Sequence, residues 1–207
     1  MRVEKIERSK HKQERILVHL EGGTLLRITE DELLHFGLYE GLDISPETMV
    51  ELQKRAAGSE ARVRAANLIA ARPLSRRELT KRLRDRGAAE EDADAAADWL
   101  EKIGALDEAA YARSVVRHYS AAGYGEAKLR DELHRRGVPR ELWDEALAAA
   151  PDAQETIARV LAARLKGAAP DEQERKRLSG LLLRRGFAWR DVKAALSALG
   201  AEIEEDC

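Results

Sequence analysis

The sequence lacks several features that extracellular, membrane-spanning and nucleic-acid-coating proteins need. Its single cysteine, Cys207, excludes an internal disulfide. No stretch is as long and apolar as a membrane span or the core of a secretory signal, so we expect a cytoplasmic protein that makes no membrane contact. Aromatic residues make up only 4%, and the formal net charge of −2 argues against a basic field over the whole chain, which proteins that coat nucleic acid usually have.

Patterns of catalytic and cofactor-binding residues are also missing from the sequence. Its five histidines are scattered without metal-ligand spacing, and there is neither a Gly-rich phosphate-binding loop with Lys-Ser/Thr nor a nucleophile elbow. The stretch GYG at Gly123–Gly125 is too short for a dinucleotide-binding motif and is interpreted as a turn between helices. We therefore expect no enzyme activity, no cofactor and no metal site.

What the sequence does contain favours helices, except near its N-terminus. Charged residues make up 36% and hydrophobic residues 44%, with Ala, Leu, Arg and Glu prevailing, which is typical of amphipathic helices. In RILVHLEGGTLLRI, by contrast, Ile16, Val18 and Leu20 alternate along one strand face and Gly22-Gly23 marks a hairpin turn. The stretch MRVEKIE predicts a third strand.

Two helix starts follow the predicted hairpin. Thr29-x-x-Glu32 resembles a capping box that opens a short helix ending at Gly37. Ser45-Pro46 provides an N-cap and a first helical residue for a second helix. We therefore expect residues 1–56 to form a small α+β domain with a β-hairpin.

The rest of the chain repeats a phrase about every fifty residues. RLRDRG, ELHRRG and LLLRRG end at Gly87, Gly137 and Gly186, which stand 50 and 49 residues apart, a period typical of helical repeats. Each glycine is predicted to end a helix in the left-handed conformation, and the preceding arginines, Arg86, Arg136 and Arg185, suit the negative end of the helix dipole. Eight and four residues before each glycine stand leucines that are predicted to face inward: Leu79 and Leu83, Leu129 and Leu133, and Leu178 and Leu182.

Each repeat is predicted to have three helices, because an apolar-periodic segment precedes and another follows each middle helix. The middle helices are predicted to start at Ser75, Gly125 and Asp171. We expect repeats at residues 59–106, 107–150 and 151–200, packed end to end into an elongated, curved array. Residues 201–207 are expected to be a frayed acidic tail.

Basic side chains of the middle helices are the candidate partner-binding residues. With Leu79 and Leu83 inward, helical spacing places Arg77, Lys81 and Arg84 on the opposite face. Clustered like charges favour an acidic or polyanionic partner; the alternative is a solvated face that pairs with the acidic helix that follows. The candidates over the three repeats are Arg76, Arg77, Lys81, Arg84, Lys128, Arg130, Arg135, Arg136, Lys176, Arg177, Arg184 and Arg185.

The three tryptophans lie in or beside the third helices of the repeats. For Trp99, Trp143 and Trp189 we expect packing in the core or between repeats rather than base stacking.

Three segments resemble, in order, the signature segments of the RecX family: RPLSRRELTKRLRDRG, LDEAAYARSVVRHY and GYGEAKLRDELHRRGV. The resemblance covers residues from about 60 to 200, and the N-terminal hairpin domain is similar to an extension found in many members. Leu74 stands where the family usually has Arg or Lys, which removes one charge from the first basic cluster. Glu108 stands where the family usually has Asp.

The resemblance implies a function as a regulator of the RecA recombinase. It implies tandem three-helix modules that lie along the groove of a RecA filament on single-stranded DNA and hinder its ATP hydrolysis, strand exchange and co-protease function. A monomer is expected, and weak direct contact of Arg and Lys with DNA is compatible with this position. Two alternatives stay open: a stand-alone nucleic-acid-binding regulator, and a helical scaffold for an unrelated protein.

Overall fold

A three-stranded antiparallel sheet forms the N-terminal part of the chain, in a computed structural model that describes residues 1–9 and 15–205, with the backbone alone for 200–205. Strands β1 (Val3–Arg8), β2 (Ile16–Leu20) and β3 (Thr24–Ile28) are hydrogen-bonded in that order. Val18 pairs with Leu26, and both side chains are buried. The predicted hairpin, its third strand and its inward face are confirmed.

Two helices pack with the sheet. Helix α1 (Glu30–His35) begins at a capping box, in which Glu32 N–H donates to the Thr29 hydroxyl and Thr29 N–H donates to the Glu32 carboxylate. Helix α2 (Pro46–Ala71) begins at Ser45, whose hydroxyl accepts from Thr48 N–H at 3.2 Å. Both predicted helix starts are therefore confirmed.

Three groups of helices fill the remainder of the chain, and together with α1 and α2 they confirm the mainly α fold. The later part of α2 serves as the first helix of the first repeat, and a 3₁₀ turn precedes the third helix of the second repeat. In chain order the elements are α3 (Arg76–Arg84), α4 (Glu90–Lys102), α5 (Glu108–Ala121), α6 (Glu126–Arg135), the 3₁₀ turn Arg140–Leu142, α7 (Trp143–Ala148), α8 (Ala153–Leu165), α9 (Glu172–Arg184) and α10 (Trp189–Glu205).

The repeated leucines and glycines have the roles that their spacing predicts. Each of the six leucines is at most 5% exposed. Gly87, Gly137 and Gly186 follow the ends of α3, α6 and α9 with φ values of +88°, +70° and +87°. Because this left-handed region is open to glycine at little cost, the glycines end the three middle helices.

Two predicted boundaries fall inside helices of the structure. Residues 56–59 lie within α2, which continues without interruption through Gly58 and Ser59. Residues 201–205 continue α10 in the structure, where the sequence predicts a frayed tail. The end of the predicted tail, with Cys207, lies outside the described residues.

The prediction that all three tryptophans are packed is correct for Trp143 and wrong for Trp189. Trp143 is 6% exposed and its indole N–H donates to the Val138 carbonyl oxygen at 3.0 Å. Trp99 is half-buried. Trp189 is 59% exposed at the start of α10, because Val192, fully buried, takes the inward position there.

The chain divides into two compact units. The first unit contains residues 1–73 and 79–106, and the second unit contains residues 74–78 together with residues from 107 onward. In the second unit, one buried cluster contains Leu129, Leu133 and Trp143. Another contains Leu178 and Leu182. The second and third repeats thus each have a core of their own, and the first residues of α3 belong to the same unit as both.

Candidate partner-binding surface

Helix α3 presents some of its predicted basic residues to solvent and uses others in contacts. Lys81 and Arg84 are exposed, and the Arg84 guanidinium lies 3.2 Å from the Glu90 carboxylate. The backbone N–H of Arg76 donates to the Glu108 carboxylate at 2.8 Å. The Arg77 side chain lies so close to Gly137 that a Cβ there would overlap it. Arg77, Lys81 and Arg84 are therefore the exposed cations among the predicted residues of this helix, and Arg77 differs from the other two in its contact with Gly137.

In the second repeat, three of the predicted binding residues surround a buried carboxylate. Glu132 is 3% exposed, and its oxygens lie 3.3 Å from Lys128 Nζ, 2.5 Å from Arg135 Nη2 and 3.6 Å from Arg136 Nε. A buried charge is costly unless it is paired, so these cations stabilise Glu132 within the fold. Arg130, by contrast, makes exposed ion pairs in the described part of the chain, with Glu126 at 2.8 Å and Asp144 at 3.7 Å.

Hydrogen bonding outweighs burial in this buried ionic cluster. Burial by itself raises the pKa of Glu132, but hydrogen bonds from Arg135, Tyr119 and Lys128 lower that pKa below its ordinary value. Burial by itself lowers the pKa of Arg136, but its hydrogen bonds to the hydroxyls of Tyr119 and Tyr111 raise it. Both groups are therefore stabilised in their charged forms.

The third repeat divides its basic residues in the same way. Lys176, Arg177 and Arg184 are exposed, and Lys176 lies 2.7 Å from Glu172 in a surface ion pair. Such exposed pairs contribute little to stability. Arg185 instead donates to the Gly123 carbonyl oxygen at 3.2 Å, and its guanidinium lies over the Tyr124 ring, 5.6 Å from the centroid. Arg185 thus contacts the loop before α6.

The Arg-Gly pair at the end of a middle helix also accepts hydrogen bonds from the first residues of the middle helix in the preceding repeat. At the end of α9, the Arg185 carbonyl oxygen accepts from Gly125 N–H at 2.9 Å, and the Gly186 carbonyl oxygen accepts from Ala127 N–H at 3.1 Å. A Cβ on Gly125 would come within 2.5 Å of the Gly186 carbonyl oxygen. This junction between the second and third repeats therefore requires a glycine at residue 125.

An equivalent junction forms at the end of α6. The Ser75 hydroxyl donates to the Arg136 carbonyl oxygen at 2.5 Å and accepts from Glu78 N–H at 3.1 Å, so it also caps α3. In both junctions the acceptor is the carbonyl oxygen of the arginine before the glycine, which has no partner within its own helix. From the sequence we predicted one role for the Arg-Gly phrase, that of a helix stop. The recurrence of the arginine before each glycine was the available signal for its second role, as the acceptor at the junction.

Among the residues that the structure describes, no helix is long and apolar enough to cross a membrane. The described part of the chain also contains no group of three or more His, Cys, Asp or Glu side chains that could hold a metal ion.

The fold and its junctions define a protein of tandem three-helix modules. Residues 61–100 match the family model of the first three-helix domain of RecX, and residues 107–147 match that of the second. The regulatory protein RecX of Pseudomonas savastanoi pv. phaseolicola is 37% identical over 140 residues, which cover 67% of this chain and 90% of that protein. The chain belongs to the RecX family.

Other relatives extend the similarity over nearly the whole chain. The regulatory protein RecX of Geobacillus kaustophilus is 32% identical over 198 residues, covering 92% of this chain and 74% of that protein. A crystal structure of a regulatory protein RecX has a TM-score of 0.69 at 19% identity and covers 94% of this chain and 98% of that one. The RecX structure from Lactobacillus salivarius, with a TM-score of 0.61 at 20% identity, covers 70% of this chain and 97% of that one and has the same fold.

Proposed function

We propose that this protein binds the RecA filament on single-stranded DNA and inhibits its recombinase, ATPase and co-protease activities. The observation that carries the proposal is the match to both three-helix domains of RecX, together with relatives named regulatory protein RecX. In this function the protein acts as a cytoplasmic monomer and has no catalytic activity of its own.

Accessible cations of the middle helices supply the filament contacts in this proposal. Lys81 and Arg84 on α3, Arg130 on α6, and Lys176, Arg177 and Arg184 on α9 are exposed and make at most surface ion pairs in the bonds described above. A repeating polymer offers equivalent acidic sites at regular intervals, so several weak contacts add to a strong one through effective concentration. The remaining predicted cations support this surface indirectly.

Indirect support comes from residues that hold the helices in place. Arg136 and Arg185 provide both the carbonyl oxygens of the junctions and side chains that contact tyrosines. Lys128 and Arg135 neutralise Glu132. In the proposal these four residues position the repeats, while Arg76 and Arg77 hold the start of α3 in place within the second unit. Weak DNA contact by the exposed cations accompanies binding to RecA.

The test is the effect of the full-length protein on RecA. Filaments are assembled on oligo(dT) with a non-hydrolysable ATP analogue and sedimented with the protein, and DNA-dependent ATP hydrolysis is measured in parallel with ATP. We expect co-sedimentation and a concentration-dependent fall in hydrolysis, both weakening as salt rises. Unchanged hydrolysis with no co-sedimentation would contradict the proposal.

A nucleic-acid control separates the alternative function. The same protein is titrated into labelled oligo(dT) without RecA at two salt concentrations. Tight, steeply salt-dependent binding here, with no effect specific to RecA, would instead identify a stand-alone nucleic-acid-binding regulator.

A further inference from the structure

When the three repeats are aligned on their helix-ending glycines, one exposed position holds a charged residue in the first two repeats and a tryptophan in the third. Six residues after the glycine, each repeat has a buried side chain: Ala93, Trp143 and Val192, which are 0%, 6% and 0% exposed. Three residues after the glycine, each repeat has an exposed one: Glu90, Arg140 and Trp189. Trp189 is thus placed by the repeat on the outside.

A second exposed position accompanies the first, three residues before the glycine. In the first repeat these two positions are Arg84 and Glu90, whose charged groups lie 3.2 Å apart. In the second repeat they are His134 and Arg140, which line one shallow depression beside Trp143. The two positions therefore face the same patch of surface in both repeats.

In the third repeat the same two positions hold Leu183 and Trp189. Leu183 is 42% exposed and Trp189 is 59% exposed. In the first repeat the two residues at these positions form an ion pair with each other. In the third repeat they are large apolar side chains that are exposed to solvent. Because the equivalent positions face one patch in the first two repeats, we expect Leu183 and Trp189 to share a patch as well, and exposed apolar side chains in one patch, rather than scattered singly, are a mark of interaction sites.

Charge next to this pair indicates the partner. Arg184 and Arg190 follow Leu183 and Trp189 directly in the chain, and the Arg190 side chain is 91% exposed and lies 3.3 Å from the Asp191 carboxylate in a surface ion pair. Trp and Arg are the residue types that dominate binding energy at protein interfaces, usually as an apolar anchor with charged groups at its rim. A partner pocket that fits has an apolar floor and carboxylates at its edge.

We propose that Leu183 and Trp189 form a docking knob that inserts into an apolar, acid-rimmed pocket on a protein partner. The net charge of −2 favours a protein over nucleic acid as the occupant, because nucleic-acid surfaces select a basic field. This inference rests on the proposed function, because it takes a RecA protomer in the filament as the partner that carries the pocket.

The test compares two variants that each remove one exposed aromatic side chain. Trp189→Ala removes the anchor of the knob, and Tyr39→Ala is its control, because Tyr39 is 61% exposed in the N-terminal part of the chain. Sedimentation with RecA filaments on oligo(dT) should show binding weakened by about tenfold or more for Trp189→Ala. The Tyr39→Ala variant should bind as the wild-type protein does.

Folding is checked by circular dichroism, where little change is expected because Trp189 lies outside the core. Should Trp189→Ala unfold, Trp189→Arg places there the residue that the second repeat carries at the same position, and it should also lose binding. If the folded variant binds and inhibits RecA as well as the wild-type protein does, the docking knob is contradicted and the proposed function still holds. A wild-type protein without effect on RecA overturns both.

Two further outcomes would reassign the knob. Loss of binding to oligo(dT) alone in Trp189→Ala, with RecA binding retained, would identify a base-stacking residue and contradict the proposal. A concentration-dependent dimer of the wild-type protein, abolished by Trp189→Ala in sedimentation velocity, would show that the knob serves a second copy of this chain instead.

Discussion

The backbone N–H of Gly125 donates to the carbonyl oxygen of Arg185 at 2.9 Å, which bonds the start of helix α6 to the end of helix α9. The first N–H groups of a helix and its last carbonyl oxygens have no partners within the helix. Here the two sets satisfy each other across a repeat junction, as Ser75 and Arg136 do at the preceding one. The helix ends of RecX modules in this chain are thus completed by the neighbouring module.

Two helix-ending glycines with the same backbone conformation should differ in how much an alanine destabilises the protein. Gly87 and Gly186 have φ values of +88° and +87°, but only Gly186 has a neighbour, since a Cβ there would come within 2.5 Å of Lys128 N. Gly87→Ala should therefore cost about 1 kcal/mol, from conformation alone. Gly186→Ala should cost about 1–3 kcal/mol more, from overlap. Denaturant unfolding measures both changes in the free energy of unfolding. Equal changes would show that the junction adjusts to the added Cβ without cost.

Acid should weaken the second repeat through Glu132. Its pKa is lowered in the folded state, so the ion cluster stabilises the fold above the ordinary pKa of about 4.3, and this contribution is lost as pH falls through the lowered value. Glu132→Gln should cost about 2 kcal/mol at pH 7, less than a fully buried pair because Lys128 and Arg135 reach solvent. The wild type and the variant should converge in stability as pH falls through the lowered pKa of Glu132. A constant difference at all pH values would contradict this account.

Loss of a core leucine should be among the most damaging single changes in the second repeat. Leu133 is fully buried in the cluster with Trp143, so Leu133→Ala should cost about 2–5 kcal/mol. Leu183→Ala is the matched control, because that side chain is 42% exposed on α9 and should change stability by less than about 1 kcal/mol. Similar unfolding midpoints for the two variants would mean that Leu133 does not support the core.

Removal of residues 1–56 should leave a folded protein, even though the new N-terminus at residue 57 lies within helix α2. The described buried cluster of the sheet extends to Ala56, so the cut leaves the buried leucines of the first repeat in place, although the sheet and that repeat belong to one compact unit. The cut at residue 57 removes the Arg15 guanidinium, which bonds the Ser59 hydroxyl at 2.9 Å, and leaves Ser59 to cap the shortened helix. Thermal unfolding followed by circular dichroism should stay cooperative. A broad, non-cooperative transition would show that the sheet and α2 form one folding unit.

Local patterns in the sequence predicted most of the fold. Which arginines are exposed and which form contacts within the fold could be seen only in the structure. Hairpin alternation, the Thr29 capping box and the leucine stripes depend on near neighbours in the chain, so they could be predicted from spacing. Arg136 and Arg130 are alike as residues of a basic helix, but one contacts tyrosines seventeen or more residues away and the other does not leave the surface. The register that exposes Trp189 and buries Val192 becomes visible only when the repeats are aligned on their glycines.

Charge reversal on two repeats should weaken filament binding additively if the partner is a repeating polymer. Lys81→Glu with Arg84→Glu on α3, and Lys176→Glu with Arg177→Glu on α9, alter exposed side chains and leave the buried leucines untouched. Each double variant should lose about tenfold in RecA filament affinity and inhibition at low salt, and the quadruple variant about a hundredfold, because distant contacts add in free energy. Glu91→Lys with Asp94→Lys on α4 is the control and should retain inhibition. Full inhibition by a folded quadruple variant would show that these cations form a solvated surface, and would leave Arg77, Arg130 and Arg184 as basic candidates for the contact.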